Sequence, residues 1–155
     1  MNRKTAYFVV DGVPQGKARA RTFYNPMLGK MQSMTPENTV LYENLVKISF
    51  NQQADKGARW FNKEPLAMHI TAFYPIPAST SKKNKQLMRS GKILPTKKPD
   101  ADNIAKSICD ALNGIAYKDD TQIVMLNILK AFTEEQPRVQ VLIEEIVHEE
   151  DDTLQ

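Results

Sequence analysis

Lys97-Lys98-Pro99-Asp100-Ala101-Asp102-Asn103-Ile104-Ala105-Lys106, continued to Lys118-Asp119-Asp120, is the stretch around which the chain is organised. Five carboxylates and four lysines fall within these 24 residues. Pro99 disfavours helix at Lys98, so the chain is expected to arrive extended, with Asp100 and Asp102 on one face. Asp102 then serves as an N-cap. Ile104, Ile108, Ala111, Leu112 and Ile115 recur at helical spacing, and Asn113-Gly114 is a C-terminal stop. Asp102, Lys106 and Asp110 fall one turn apart on one helix face. Asp119-Asp120 follow a short turn, at the head of an apolar run from Ile123 to Leu129 that reads as a strand.

Carboxylates crowded at one site raise each other's pKa unless a cation relieves them. Mg²⁺ takes oxygen ligands, commonly one or two carboxylates with waters and phosphates. The competing explanation is a capped helix with solvated acids. Asp110 lies about 12 Å beyond Asp102 along the helix axis, too far to share a metal easily, and is expected to be structural, pairing with Lys106.

The segment from Pro99 to Ile123 resembles the signature of RusA-type Holliday junction resolvases. The matching elements are Asp100, Asp102 and Asn103, then Lys106, then Asp110-Ala111-Leu112, then Asp119-Asp120. The resemblance is close over about 25 residues and looser across the rest of the chain. It implies a homodimeric, Mg²⁺-dependent endonuclease that nicks four-way DNA junctions symmetrically in recombination and repair, with Mn²⁺ as a substitute ion. By matching, Asp100, Asp102 and Asp120 take the metal-ligand positions and Lys106 that of the essential lysine. Asp119 is the alternative ligand or, with Asn103, a supporting residue.

Composition agrees with one globular domain. The 155 residues suffice for a modest core, and no apolar run reaches the ~20 residues that cross a bilayer. Nothing near the start reads as a signal peptide, and the single cysteine, Cys109, excludes an internal disulfide and is expected to be buried and inert. The expected setting is cytoplasmic, of bacterial or phage origin, with no membrane partner. The net charge of +3 hides an asymmetry. Residues 1–99 carry 17 Lys and Arg against 5 Asp and Glu; residues 100–155 carry 4 against 13. A basic portion beside an acidic site suits a protein that holds a polyanion near metal-binding carboxylates.

Along the chain, Thr5 to Val10 reads as a strand. Lys17, Arg19 and Arg21 follow at alternate positions and are expected to contact DNA phosphates; a solvated loop is the alternative. Tyr24 to Met34 is turn or hairpin. A helix starts at Thr35-Pro36-Glu37, with Val40, Leu41, Leu45 and Ile48 as its apolar face. Leu66 to Tyr74 is a strand, and His69 within it is expected to be structural. Residues 82–98 hold seven Lys and Arg, of which Lys97 and Lys98 are the strongest candidates for gripping DNA. Gln122 to Thr133 is expected to be a strand buried on both faces, and Arg138 to Val147 its antiparallel hairpin partner. The prediction is a mixed α/β fold: about four strands, two main helices, one RusA-like domain over 1–148, and an acidic tail over 149–155. Two other functions fit the same features: a non-catalytic DNA-binding or regulatory module, and a metal nuclease acting on flaps or forks.

Overall fold

Alternation of apolar and polar residues sets the first strand, β1 (Thr5–Asp11), which buries Ala6, Phe8 and Val10 and turns Tyr7 outward. In the computed structural model, which describes residues 3–148, β1 pairs antiparallel with the last strand, β6 (Arg138–Glu145), setting Phe8 opposite Val141. A separate two-stranded hairpin comes next, β2 (Arg21–Asn25) and β3 (Lys30–Met34). Helix α1 (Glu37–Gln53) leads to the long strand β4 (Leu66–Pro75). The short helix α2 (Lys82–Arg89) and helix α3 (Ala101–Leu112) precede β5 (Ile123–Thr133). The main sheet has the order β1-β6-β4-β5, with β4 parallel to β5 and antiparallel to β6. This is the mixed α+β fold with a four-stranded mixed sheet that the sequence led us to expect. The acidic tail, 149–155, lies outside the described residues.

Helices α1 and α3 pack together over one face of the sheet. The core joins Phe8, Val46, Phe50, Phe61, Met68, Ile104, Ile108 and Leu112, with Phe8 and Phe50 edge to face at 5.5 Å. Phe61 anchors the loop after α1, while Trp60 stays 42% exposed.

Two expectations about packing are corrected. β5 and β6 do not form a hairpin, because β4 lies between them. The connection 134–137 steps over the end of β4, two strand spacings or about 10 Å, which four residues span. Contacts at the crossing hold it: Ile76 N–H donates to Thr133 C=O, and Gly12 N–H to Pro137 C=O. Consequently β5 is an edge, not a doubly covered strand, and leaves Val124 66% and Leu129 52% exposed. The other edge is blunted, since the Gln53 side chain pairs with both backbone groups of Val9.

The second correction concerns α1. Its buried residues are Thr39, Tyr42, Val46, Ser49 and Phe50, whereas Val40, Leu41, Leu45 and Ile48 face outward. Both sides of this helix carry apolar groups, so periodicity alone does not choose the core face. The rings of Tyr42 and Phe50 are buried beside small Thr39 and Ser49, and Phe50 meets Phe8 of β1.

Candidate active site

Helix α3 starts two residues earlier than its sequence implies. Asp100, not Asp102, is the N-cap, and Asp102 lies in the first turn. Alternation along an extended backbone therefore does not set their relation. The helix N-terminus draws both carboxylates, since unpaired N–H groups there favour negative charge. Asp100 makes no side-chain capping hydrogen bond, so its carboxylate remains open to another partner. Asp102 and Lys106, one turn apart, are both exposed, and Lys106 enters no ion pair among the described residues.

The basic loop after β1 is fastened to this helix start. Lys17 N–H donates to Asn103 C=O at 3.0 Å, and the Ser107 hydroxyl donates to Gln15 C=O at 3.0 Å. Gly16 permits the approach: a Cβ there would lie 2.8 Å from Pro99 Cβ and 3.1 Å from Asn103 Cβ. Between loop and helix opens a cleft of about 610 Å³. Arg19, Lys98, Asp100 and Asn103 are among its lining residues. The structure thus brings together residues from both segments singled out in the sequence.

Lys17 itself has another role. Its ammonium lies 2.6 Å from Glu43 and 3.1 Å from Asp110, tying α1 to α3. Burial pulls its pKa down, but hydrogen bonds and charge from the two carboxylates outweigh this and leave it raised. Lys17 also lines the cleft, so its ammonium is engaged by two carboxylates beside the expected phosphate site, and the expected Asp110–Lys106 pair is replaced by Asp110–Lys17. Arg19, Arg21, Lys97 and Lys98 are exposed and carry no ion pair among the described residues. In α2, Arg89 is held by Glu134 at 2.6 Å.

Asp119 and Asp120, the two candidates for one ligand position, sit in different surroundings. Asp119 caps the 3₁₀ turn Asp120–Gln122, accepting from Thr121 N–H at 3.0 Å, while Gln122 accepts from Asp119 N–H. These hydrogen bonds hold the Asp119 carboxyl below its usual pKa. Asp120 is pushed up, first by burial, then by the hydrogen bond and charge of Asp119 and by the charge of Asp110. Its charged neighbours are therefore Asp119 beside it and Asp110 in the C-terminal half of α3. Among the described residues, no three His, Cys, Asp or Glu side chains form a group able to hold a metal. Within one chain, Asp100, Asp102 and Asp120 are not assembled as a three-carboxylate centre. One or two of these carboxylates would be enough for Mg²⁺, which completes its shell with water and phosphate oxygens.

Two supports escaped the sequence reading. Lys130 of β5 donates to the carbonyls of Lys97 and Pro99, fixing the segment that enters α3. A lone lysine in an apolar strand was the available signal. Glu43, on α1, was indistinguishable from a surface acid. Cys109 is partly buried beside Met68, and burial pushes its thiol up to about 11, which disfavours the thiolate that a nucleophile needs. His69 bridges Glu144 and Asn127, at 3.2 and 3.1 Å, as a structural residue.

Residues 11–144 match the family Endodeoxyribonuclease RusA, and the chain belongs to that family. YqaN of Bacillus subtilis (strain 168), an uncharacterized protein, is 35% identical over 141 residues, 90% of this chain and 95% of YqaN. Membership makes the chain a nuclease of a family that acts on branched DNA junctions and is generally dependent on a divalent metal. No described helix is long and apolar enough to cross a membrane.

Proposed function

We propose that this protein is a Mg²⁺-dependent endodeoxyribonuclease that resolves four-way junctions by paired symmetric nicks, in recombination and repair. The observation that carries the reading is the cleft in which Arg19 and Lys98 flank Asp100 at the start of α3. Cations there meet the strand backbone while the open carboxylates face the scissile phosphate. Asp100, Asp102 and Asp120 are the proposed metal ligands, with Mn²⁺ as a substitute ion. A bound Mg²⁺ would supply a water of lowered pKa and offset charge on the phosphate. Lys106, exposed one turn from Asp102, stabilises the added negative charge of the transition state. Asn103 and Asp119 hold the backbone around the ligands: Asn103 through its carbonyl to Lys17, Asp119 through its cap. Arg19, Arg21, Lys97 and Lys98 grip phosphates.

A homodimer fits a junction with two equivalent strands to cut. The β5 edge supports it, since its exposed Val124, Met125 and Leu126 resemble an interface more than a solvated strand. The test is incubation with a four-way junction, a flap and linear duplex, with and without Mg²⁺. Metal-dependent paired nicks near the branch point support the proposal. Binding without cleavage points to a DNA-binding module, and preference for the flap to a different nuclease.

A further inference from the structure

The hairpin β2–β3 stands outside the core. None of its ten strand residues is buried, and six large apolar side chains on it are exposed, Met27 at 93%. A two-stranded hairpin is marginally stable by itself, so these groups need a partner. Charge identifies the kind. Residues 12–36 carry Lys17, Arg19, Arg21 and Lys30 and not one Asp or Glu.

The apex is built. The Asn25 carbonyl accepts from Leu28 N–H at 3.2 Å, and its side chain accepts from Met27 N–H at 3.0 Å. Gly29 closes the loop at φ +62°, and Asn25 pairs with Lys30. This turn thrusts Met27 and Leu28 outward together. Cross-strand register puts Arg21, Phe23 and Lys30 on one hairpin face. The root is as well fixed as the tip: Gly16 and Lys17 are docked on the start of α3, and Arg19 lines the cleft beside Asp100. From Arg21, a five-residue strand reaches about 16 Å, enough to cross into a groove or the centre of a branch.

We propose that this hairpin is a probing arm for branched DNA. Arg21 and Lys30 ride on phosphates, and the apolar tip, Met27 and Leu28, inserts among unstacked bases at the branch point. Apolar wedges such as Met and Leu enter base steps at an unstacking cost, which is lower where a branch has already interrupted the stack. The arm would therefore recognise the branch and set it at a fixed distance from Asp100. This inference rests on the junction-nuclease reading and adds the element that selects the branch.

The test uses the full chain with Ca²⁺ in place of Mg²⁺ and a synthetic four-way junction carrying 2-aminopurine at the branch. Binding by the wild-type protein is expected to raise the fluorescence at least threefold. The double variant Met27→Ser/Leu28→Ser, which keeps Asn25 and Gly29, is expected to lose most of that rise at protein concentrations that saturate its binding by anisotropy. A full rise with the variant, or none with the wild type, overturns the proposal. So does a variant that changes from dimer to monomer in sedimentation, which would assign the tip to a second copy. A wild-type protein with no preference for the junction over duplex overturns the nuclease reading, and this inference with it. In a parallel reaction with Mg²⁺, a double variant that nicks junctions as the wild type does overturns this inference alone.

Discussion

The ammonium of Lys130 lies 2.9 Å from the carbonyl oxygen of Pro99, and donates to Lys97 C=O as well. One side chain on the sheet edge thereby fixes the backbone that presents Asp100. Lys130→Met keeps the stem and removes the donors. We expect melting within about 2 °C of wild type and nicking slowed about 10- to 100-fold, the usual cost of losing a group that orients ligands. Single-turnover cleavage and calorimetry check this; unchanged turnover would remove Lys130 from the site.

Gly16→Ala tests the docking of the basic loop. The added methyl meets the Pro99 ring, which cannot swing away, and the Asn103 side chain. The loop must lift from α3, carrying Arg19 away from Asp100. Junction affinity is expected to fall about tenfold with little loss of helix content by circular dichroism. Wild-type affinity would show that the cleft tolerates the displacement.

The Lys17 brace makes a prediction about pH. Its raised pKa means that its contribution is fully present below the ordinary lysine value and fades as pH rises through the higher folded value. Between pH 6 and about 9 the contribution is flat; above roughly pH 10.5 it declines. Lys17→Met is expected to cost about 1–2 kcal/mol, midway between exposed and buried pairs, because its partners stay partly solvated. Urea melts at pH 7 and pH 11 test this; the difference between wild type and variant should narrow at the higher pH.

Asp120 is expected to oppose folding when no cation is present. Its pKa is raised, so the folded chain holds the proton more tightly, and stability drops as pH rises through the carboxylate range. Asp120→Asn should melt about 1–3 °C higher than wild type in EDTA at pH 7. It should also lose the increase in melting temperature that Mg²⁺ gives the wild type. A lower melting temperature in EDTA, or an undiminished Mg²⁺ response, counts against Asp120 as a ligand.

Much of this was legible in the sequence, and the exceptions share a cause. Helix α3, its stop at Asn113-Gly114 and the strands were visible because local periodicity and turn residues encode them. The carboxylates and Lys106 were singled out because their spacing matches a family, which the match over residues 11–144 bears out for the family and not for their individual roles. The sequence did not disclose that β4 would lie between β5 and β6, since a four-residue connection permits a hairpin or a step over a neighbour. Nor could it choose the buried face of α1, which is apolar on both sides. Lys17 looked like its neighbours Arg19 and Arg21 until Glu43, 26 residues away, was seen to meet it.

The measurement that bears most directly on the central claim is nicking of an end-labelled four-way junction by the wild type and Asp102→Asn, with Mg²⁺ and with EDTA. The account predicts paired symmetric nicks by the wild type only with Mg²⁺, and none by Asp102→Asn, which should bind the junction at least as tightly because a charge near phosphate is gone. Cleavage in EDTA, or wild-type rates from Asp102→Asn, would contradict it.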